Sequence, residues 1–117
     1  MDMTVKRCVD ELLRSLRSCS EYREYEQARQ KLDEDPRKRK RTDEFRRKNF
    51  LLQNSEEGRN MEAQQQISQE RRELRRDPVI DEYLRTELAM CRLLRQISLR
   101  LMDSVDLDLD SMEDILS

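Results

Sequence analysis

Asp77-Pro78-Val79-Ile80-Asp81-Glu82-Tyr83-Leu84 opens the longest apolar-rich stretch of the chain, which continues to Met102. Aspartate caps the free amides of a helix start, and proline suits the first helical position, where its missing N–H costs nothing. Behind this start, Ile80, Tyr83, Leu84, Cys91, Leu94, Leu101 and Met102 fall on one broad stripe at helical spacing. Val79, Met90, Leu93 and Ile97 make a second stripe beside it. The stretch predicts a helix from Pro78 to about Met102. It is the most apolar of the chain and is expected at the centre of the structure.

The same start signal recurs upstream as Asp35-Pro36, and a leucine precedes each aspartate by three residues, Leu32 and Leu74. Between the two signals, with Phe45 set at zero on a helical wheel, Leu52 falls at about −20°, Ala63 at about 0°, Ile67 at about 40° and Leu74 at about 20°. This shared phase predicts one continuous helix from Pro36 to about Arg75, roughly 60 Å long. Gly58 sits inside it. Glycine costs about 1 kcal/mol in a helix interior and also ends helices, so a break near Asn54–Gly58 is the alternative. Phe50 and Met61 lie on the opposite side, at about 140° and 160°. Two opposed apolar faces call for two partners, one of them another chain.

Toward the N-terminus, Val5, Val9, Leu12, Leu13 and Leu16 follow i, i+4, i+7, i+8, i+11, one face of a helix. Ser18 and Glu21 stand at capping-box spacing and predict the start of a second helix. That helix turns Tyr22, Tyr25, Ala28 and Leu32 inward and ends near Asp35-Pro36. The expected fold is all-α: an elongated antiparallel helical bundle of about four helices, two of them long, completed by dimerisation. Residues 1–104 are expected to form a single helical domain. Residues 105–117 are expected to be an acidic, mobile tail.

Composition agrees and excludes several function classes. Of 117 residues 43% are charged and 4% aromatic, with one glycine, two prolines and no histidine. So little turn chemistry cannot punctuate a β-rich fold. The missing histidine removes Ser-His-Asp and Cys-His triads, Cys₂His₂ zinc sites and any histidine general base. The net charge of −2 argues against a uniformly basic surface for nucleic acid. Only 35% of residues are apolar, which favours elongated helices sharing a core with a second chain. No stretch approaches the roughly 20 apolar residues of a membrane span, and Met1-Asp2-Met3-Thr4 begins no signal-peptide apolar run. Three cysteines, Cys8, Cys19 and Cys91, are odd in number and widely spaced. They fit a reducing cytoplasm better than a secreted disulfide framework.

Four features could carry function. Arg37, Lys38, Arg39, Lys40 and Arg41 are consecutive cations, and the segment from Pro36 to Lys48 carries +6. Consecutive residues point all round a helix, so this is a collar. It serves as solvated surface, as a docking site for an acidic partner or the chain's own tail, or as a nucleic-acid contact. The tail pattern Asp106-x-Asp108-x-Asp110 begins like a calcium loop, but Ser111 and Ser117 stand where glycine and the bidentate glutamate are required. Glu87 falls on the main apolar stripe between Leu84 and Cys91. A carboxylate there is expected to be paired or raised in pKa, with a role in fixing helix register. Cys8 and Cys91 are read as core packing. No catalytic residue, metal ligand or cofactor is expected.

The order Glu21-Tyr22, Tyr25, Ala28, Leu32, Asp35-Pro36, Phe45, Asp77-Pro78, Ile80, Glu82-Tyr83-Leu84, Glu87, Leu94 and Ile97 resembles the YlbF/YmcA family over roughly residues 6 to 104. Its most specific part is the Asp-Pro-x-Ile-x-Glu-Tyr-Leu stretch. The resemblance implies a cytoplasmic, all-α, dimeric bacterial regulator, non-enzymatic, linked to competence, sporulation and biofilm formation. It also implies a complex that assists messenger-RNA processing by a membrane-bound endoribonuclease. Some members are associated with an iron–sulfur cluster. This chain has no cysteine-rich tail, so no cluster is carried over, and its acidic tail departs from the family pattern. The expected function is a non-catalytic regulatory adaptor acting as a homodimer or as a heteromer with related helical proteins, in a ribonuclease-associated complex. Its interaction surface would use Phe50, Met61 and the collar Arg37–Arg41. The alternative is an RNA-binding module using residues 37–48.

Overall fold

The computed structural model describes residues 1–105. It contains α1 (Met3–Ser18), α2 (Ser20–Asp33), α3 (Pro36–Gln53), a 3₁₀ turn (Glu56–Arg59), α4 (Met61–Leu74) and α5 (Pro78–Ser104). Among the described residues there is no strand. The described residues are therefore all-helical, with five α-helices where four were expected. The tail pattern from Asp106 onward, and with it the reading of a mobile tail, lies outside the described residues.

Both Asp-Pro pairs start helices by the expected chemistry. One Asp35 carboxylate oxygen accepts from the amides of Arg37 (3.0 Å) and Lys38 (3.3 Å). Asp77 accepts from the Val79 amide at 2.9 Å, and each proline occupies the first turn. The two helix starts then join side to side, because Lys38 Nζ lies 2.8 Å from the second Asp77 oxygen.

The core is small. Ala28 and Leu32 of α2, Phe45 of α3, Ile67 and Leu74 of α4, and Ile80 and Tyr83 of α5 are its buried apolar residues. Tyr25, Leu52, Val79 and Leu84 pack around them, half-buried. Helix α2 runs against α5, with Tyr25 beside Tyr83 (ring centroids 5.8 Å apart) and Glu24 reaching Arg85. Helix α3 runs alongside α5 in the same direction, because Lys38 meets Asp77 and Arg46 meets Glu87.

The continuous helix from Pro36 to Arg75 is corrected by the structure. The chain breaks after Gln53 and returns as an antiparallel hairpin, in which Lys48 pairs with Glu70 and Gln53 with Gln64. The break is written in side chains that compete for backbone groups. Asn54 donates to the Phe50 carbonyl (2.8 Å) and Ser55 to the Leu52 carbonyl (3.0 Å), which closes α3. Asn60 accepts from the amides of Glu62 and Ala63 and caps α4. Phe45, Ile67 and Leu74 still reach one core, because folding back superposes the two apolar faces.

Two further expectations change. The Ser18/Glu21 capping box does not form. Ser18 donates to the carbonyls of Arg14 and Ser15 at the end of α1, and Cys19, in extended backbone, is the single residue between α1 and α2. Cys8 and Cys91 are exposed, not in the core. Cys8 sits on α1, which buries no residue, and Cys91 lies on α5 beyond its last buried position, Thr86.

Gly58 adopts no positive φ; its role is close approach. A Cβ there would stand 2.6 Å from the Leu52 carbonyl oxygen, and the Gly58 carbonyl accepts from the Gln64 side chain at 2.7 Å. Gly58→Ala is therefore expected to destabilise by about 1–3 kcal/mol through overpacking against backbone. In a continuous helix the same change would stabilise by about 1 kcal/mol. The sign of the shift in thermal unfolding separates the two.

Candidate interaction site

The seam between α3 and α5 is built from charge around one buried ring. Tyr83 is buried, and the guanidinium groups of Arg39 and Arg46 lie 5.2 and 5.7 Å from its centroid, on the α3 side. Its hydroxyl donates to Glu87 at 3.3 Å, and Arg46 closes the set with an ion pair to Glu87 at 2.5 Å. Burial first, then the neighbouring Tyr25 hydroxyl and the negative charge of Glu87, push the Tyr83 phenol above its ordinary value, with Arg46 opposing. The phenol therefore stays protonated and remains a donor. Glu87 itself is half-buried, its side chain 24% exposed, one helical turn beyond Tyr83.

The basic segment divides in two on the folded chain. Lys38, Arg39, Arg46 and Lys48 are committed to carboxylates: Lys38 to Asp77, Arg39 to Asp33 and Asp43, Arg46 to Asp43 and Glu87, and Lys48 to Glu70. Arg37, Lys40, Arg41 and Arg47 are exposed and make no ion pair among those of the described residues. Their spacing of three, four and seven residues puts them on one side of α3. Fold geometry thus sorts the collar into an inner set that holds the helices and an outer cationic stripe.

Phe50 is 66% exposed and Met61 75% exposed. Both stand at the hairpin end of α3 and α4, about 20 Å along α3 from the Arg37 end of the stripe. They line different depressions. Met61 borders a shallow one on α4 with Gln64, Gln65, Ser68, Arg71 and Arg72. Phe50 borders a groove of about 660 Å³ between α3, α4 and α5, together with Glu87, Leu88 and Cys91. Two more apolar surfaces face solvent. On α1, Val5, Val9, Leu12 and Leu13 are exposed; on the second half of α5, Leu94, Leu99, Leu101 and Met102 are exposed. Among the described residues no three His, Cys, Asp or Glu side chains converge as a metal-holding group. No helix of the described residues is long and apolar enough to cross a membrane.

Arg71 and Asn49 were not singled out by sequence reasoning. The Arg71 guanidinium lies 5.6 Å from the Phe45 ring centroid and donates to the Asn49 side chain at 3.3 Å. The signal for them exists only after the hairpin is known, because they meet across it.

The described residues, all-helical with a small core, charge-built seams and large exposed apolar faces, define a small helical protein. The chain belongs to the YlbF/YmcA family: the family described as control of competence regulator ComK, YlbF/YmcA, matches residues 5–106. No curated protein and no solved structure matches the chain.

Two outcomes test the seam. Arg46→Leu and Glu87→Leu, made singly and together, are expected to show a coupling of about 1 kcal/mol in chemical denaturation, the double variant losing less than the sum. Asp77 is held below the usual carboxylate range by its hydrogen bond to Lys38 and the amide of Val79, against partial burial. A lowered folded pKa contributes stability that is complete above the unfolded value near 4, and that is lost as pH falls through the folded value. Asp77→Asn keeps a capping oxygen and loses the charge. It is expected to be less stable than the parent near neutral pH by no more than about 1 kcal/mol, because the pair is partly exposed. That gap closes as pH falls below about 4 in pH-dependent melting curves.

Proposed function

We propose that the chain is a non-catalytic regulatory adaptor that works in the cytoplasm through protein–protein contact. The family description supports a role in the control of competence, and the resemblance extends the reading to sporulation, biofilm formation and RNA processing in a ribonuclease-associated complex. The observation that carries this reading is α1. It is sixteen residues long, has a continuous apolar face and buries none of its residues. An isolated helix of that length is marginal in water, so α1 gains its stability from a partner surface. The exposed leucines in the second half of α5 offer a second such surface, and contiguous apolar area of this kind marks association sites. A homodimer, or a heteromer with a related helical protein, completes the helical packing through these faces.

Multi-angle light scattering is expected to show a stable dimer of the purified chain, or a heteromer once a related partner is added. A monomer under both conditions removes the reading. Val9→Asp with Leu13→Asp is expected to abolish association, with a fall in helical circular dichroism no larger than the share of the sixteen residues of α1, since neither position belongs to the core.

The outer cationic stripe of Arg37, Lys40, Arg41 and Arg47 supports a second reading, an RNA contact on α3. Binding through it would weaken steeply with salt, by a slope of about 0.7 per neutralised phosphate on a single strand. Absence of RNA binding at low salt in a filter assay eliminates it.

A further inference from the structure

The groove beside Phe50 has a floor and a wall of different chemistry. Phe45, Leu84 and Leu88 line it with apolar surface, and Arg46, Arg71 and Arg75 bring three guanidinium groups to its edge. Two of these are spoken for: Arg46 pairs with Glu87 and Arg75 with Asp81. Arg71 is half-buried, lies on the Phe45 ring, and makes no ion pair among those of the described residues. A cation held in apolar surroundings without a carboxylate is a receptor for one. The groove at about 660 Å³ takes a few side chains, the size of a peptide segment and not of a folded partner.

One line of α5 runs from this groove to the end of the described helix. On α5 the groove-lining positions Leu84, Leu88 and Cys91 continue at alternating steps of four and three through Arg95, Ser98 and Met102 to Val105. Residues so spaced share one helical line. Val105, the last described residue, therefore stands on the groove side of α5, and the exposed cation Arg95 lies between it and the groove.

Residues 106–117 carry the matching chemistry. Asp106, Asp108, Asp110, Glu113 and Asp114 are interleaved with Leu107, Leu109, Met112, Ile115 and Leu116, with no lysine or arginine. Extended, twelve residues reach at most about 40 Å, whereas Cys91 lies about 20 Å back along α5 from Val105. We propose that residues 106–117 fold back and occupy the groove between α3, α4 and α5 of their own chain, an acidic side chain meeting Arg71 and apolar side chains covering Phe50 and Leu88. A partner that engages Phe50 must first displace them. This inference does not rest on the adaptor reading, although Met102 belongs to both surfaces, because it concerns a distance within one chain.

The test uses the full chain with Cys8, Cys19 and Cys91 replaced by serine and a nitroxide attached through Arg92→Cys, which stands on α5 beside the groove. The amide signals of residues 107–116 are expected to lose most of their intensity and to recover when the nitroxide is reduced. Replacing the five acidic residues of 106–117 by their amides, which leaves the core untouched, is expected to restore the signals, as is Arg71→Glu. High salt weakens the effect. Undiminished signals in the parent overturn the proposal. Loss that appears when spin-labelled and isotope-labelled chains are mixed overturns it in favour of a second copy. Release by Arg37→Glu with Lys40→Glu and Arg41→Glu, but not by Arg71→Glu, overturns it in favour of the outer stripe.

Discussion

Tyr83 is the side chain on which three helices close. Its ring lies against Tyr25 of α2, beneath Arg39 and Arg46 of α3, and its hydroxyl is anchored to Glu87 one turn along α5. So few apolar residues are buried that α3 could not be held to α5 by hydrocarbon alone. Guanidinium groups over an aromatic face supply attraction while keeping their own hydrogen bonds to carboxylates, and their stems cover apolar surface. This is how a chain with 43% charged residues keeps a defined interior. Charge here is part of the packing.

The parts of the fold legible in the sequence are those with local causes. Asp35-Pro36 and Asp77-Pro78 announce two helix starts because capping is decided within three residues. The apolar stripes announce which faces turn inward: Phe45, Ile67, Leu74, Ile80 and Tyr83 are all buried. Direction was not legible. A helical wheel records angle about an axis, and a hairpin that folds one arm onto the other leaves the angles of Phe45 and Ile67 compatible with an unbroken rod. The decisive residues were Asn54, Ser55 and Asn60, whose short polar side chains take over backbone groups on both sides of Gly58.

The candidate site divides along the same line. That Phe50 and Met61 stand off the core face was visible from their phase. Which cations of the 37–48 segment face outward was not, because that depends on acids distant in sequence: Asp77, Glu70 and Glu87. Nor could Arg71 be picked from the run Glu70-Arg71-Arg72-Glu73, with Arg75 and Arg76 close behind; its place on Phe45 follows from the hairpin. The cysteines show the opposite error. Cys91 shares the helical line of Leu84, but a stripe tells nothing about where along its length the covering helices stop.

The joint at Cys19 sets a hierarchy of stability. One extended residue separates α1, which buries nothing, from α2, which contributes Ala28 and Leu32 to the core. Opening α1 breaks its own helical hydrogen bonds and exposes little that was covered, whereas opening α2 uncovers Tyr83 and the centre of the molecule. The chain thus unfolds in at least two steps, with amide exchange fast along Met3–Ser18 and slow around Tyr83. In the free chain the N-terminal helix behaves as a separate cooperative unit, and whatever covers it merges the two units into one.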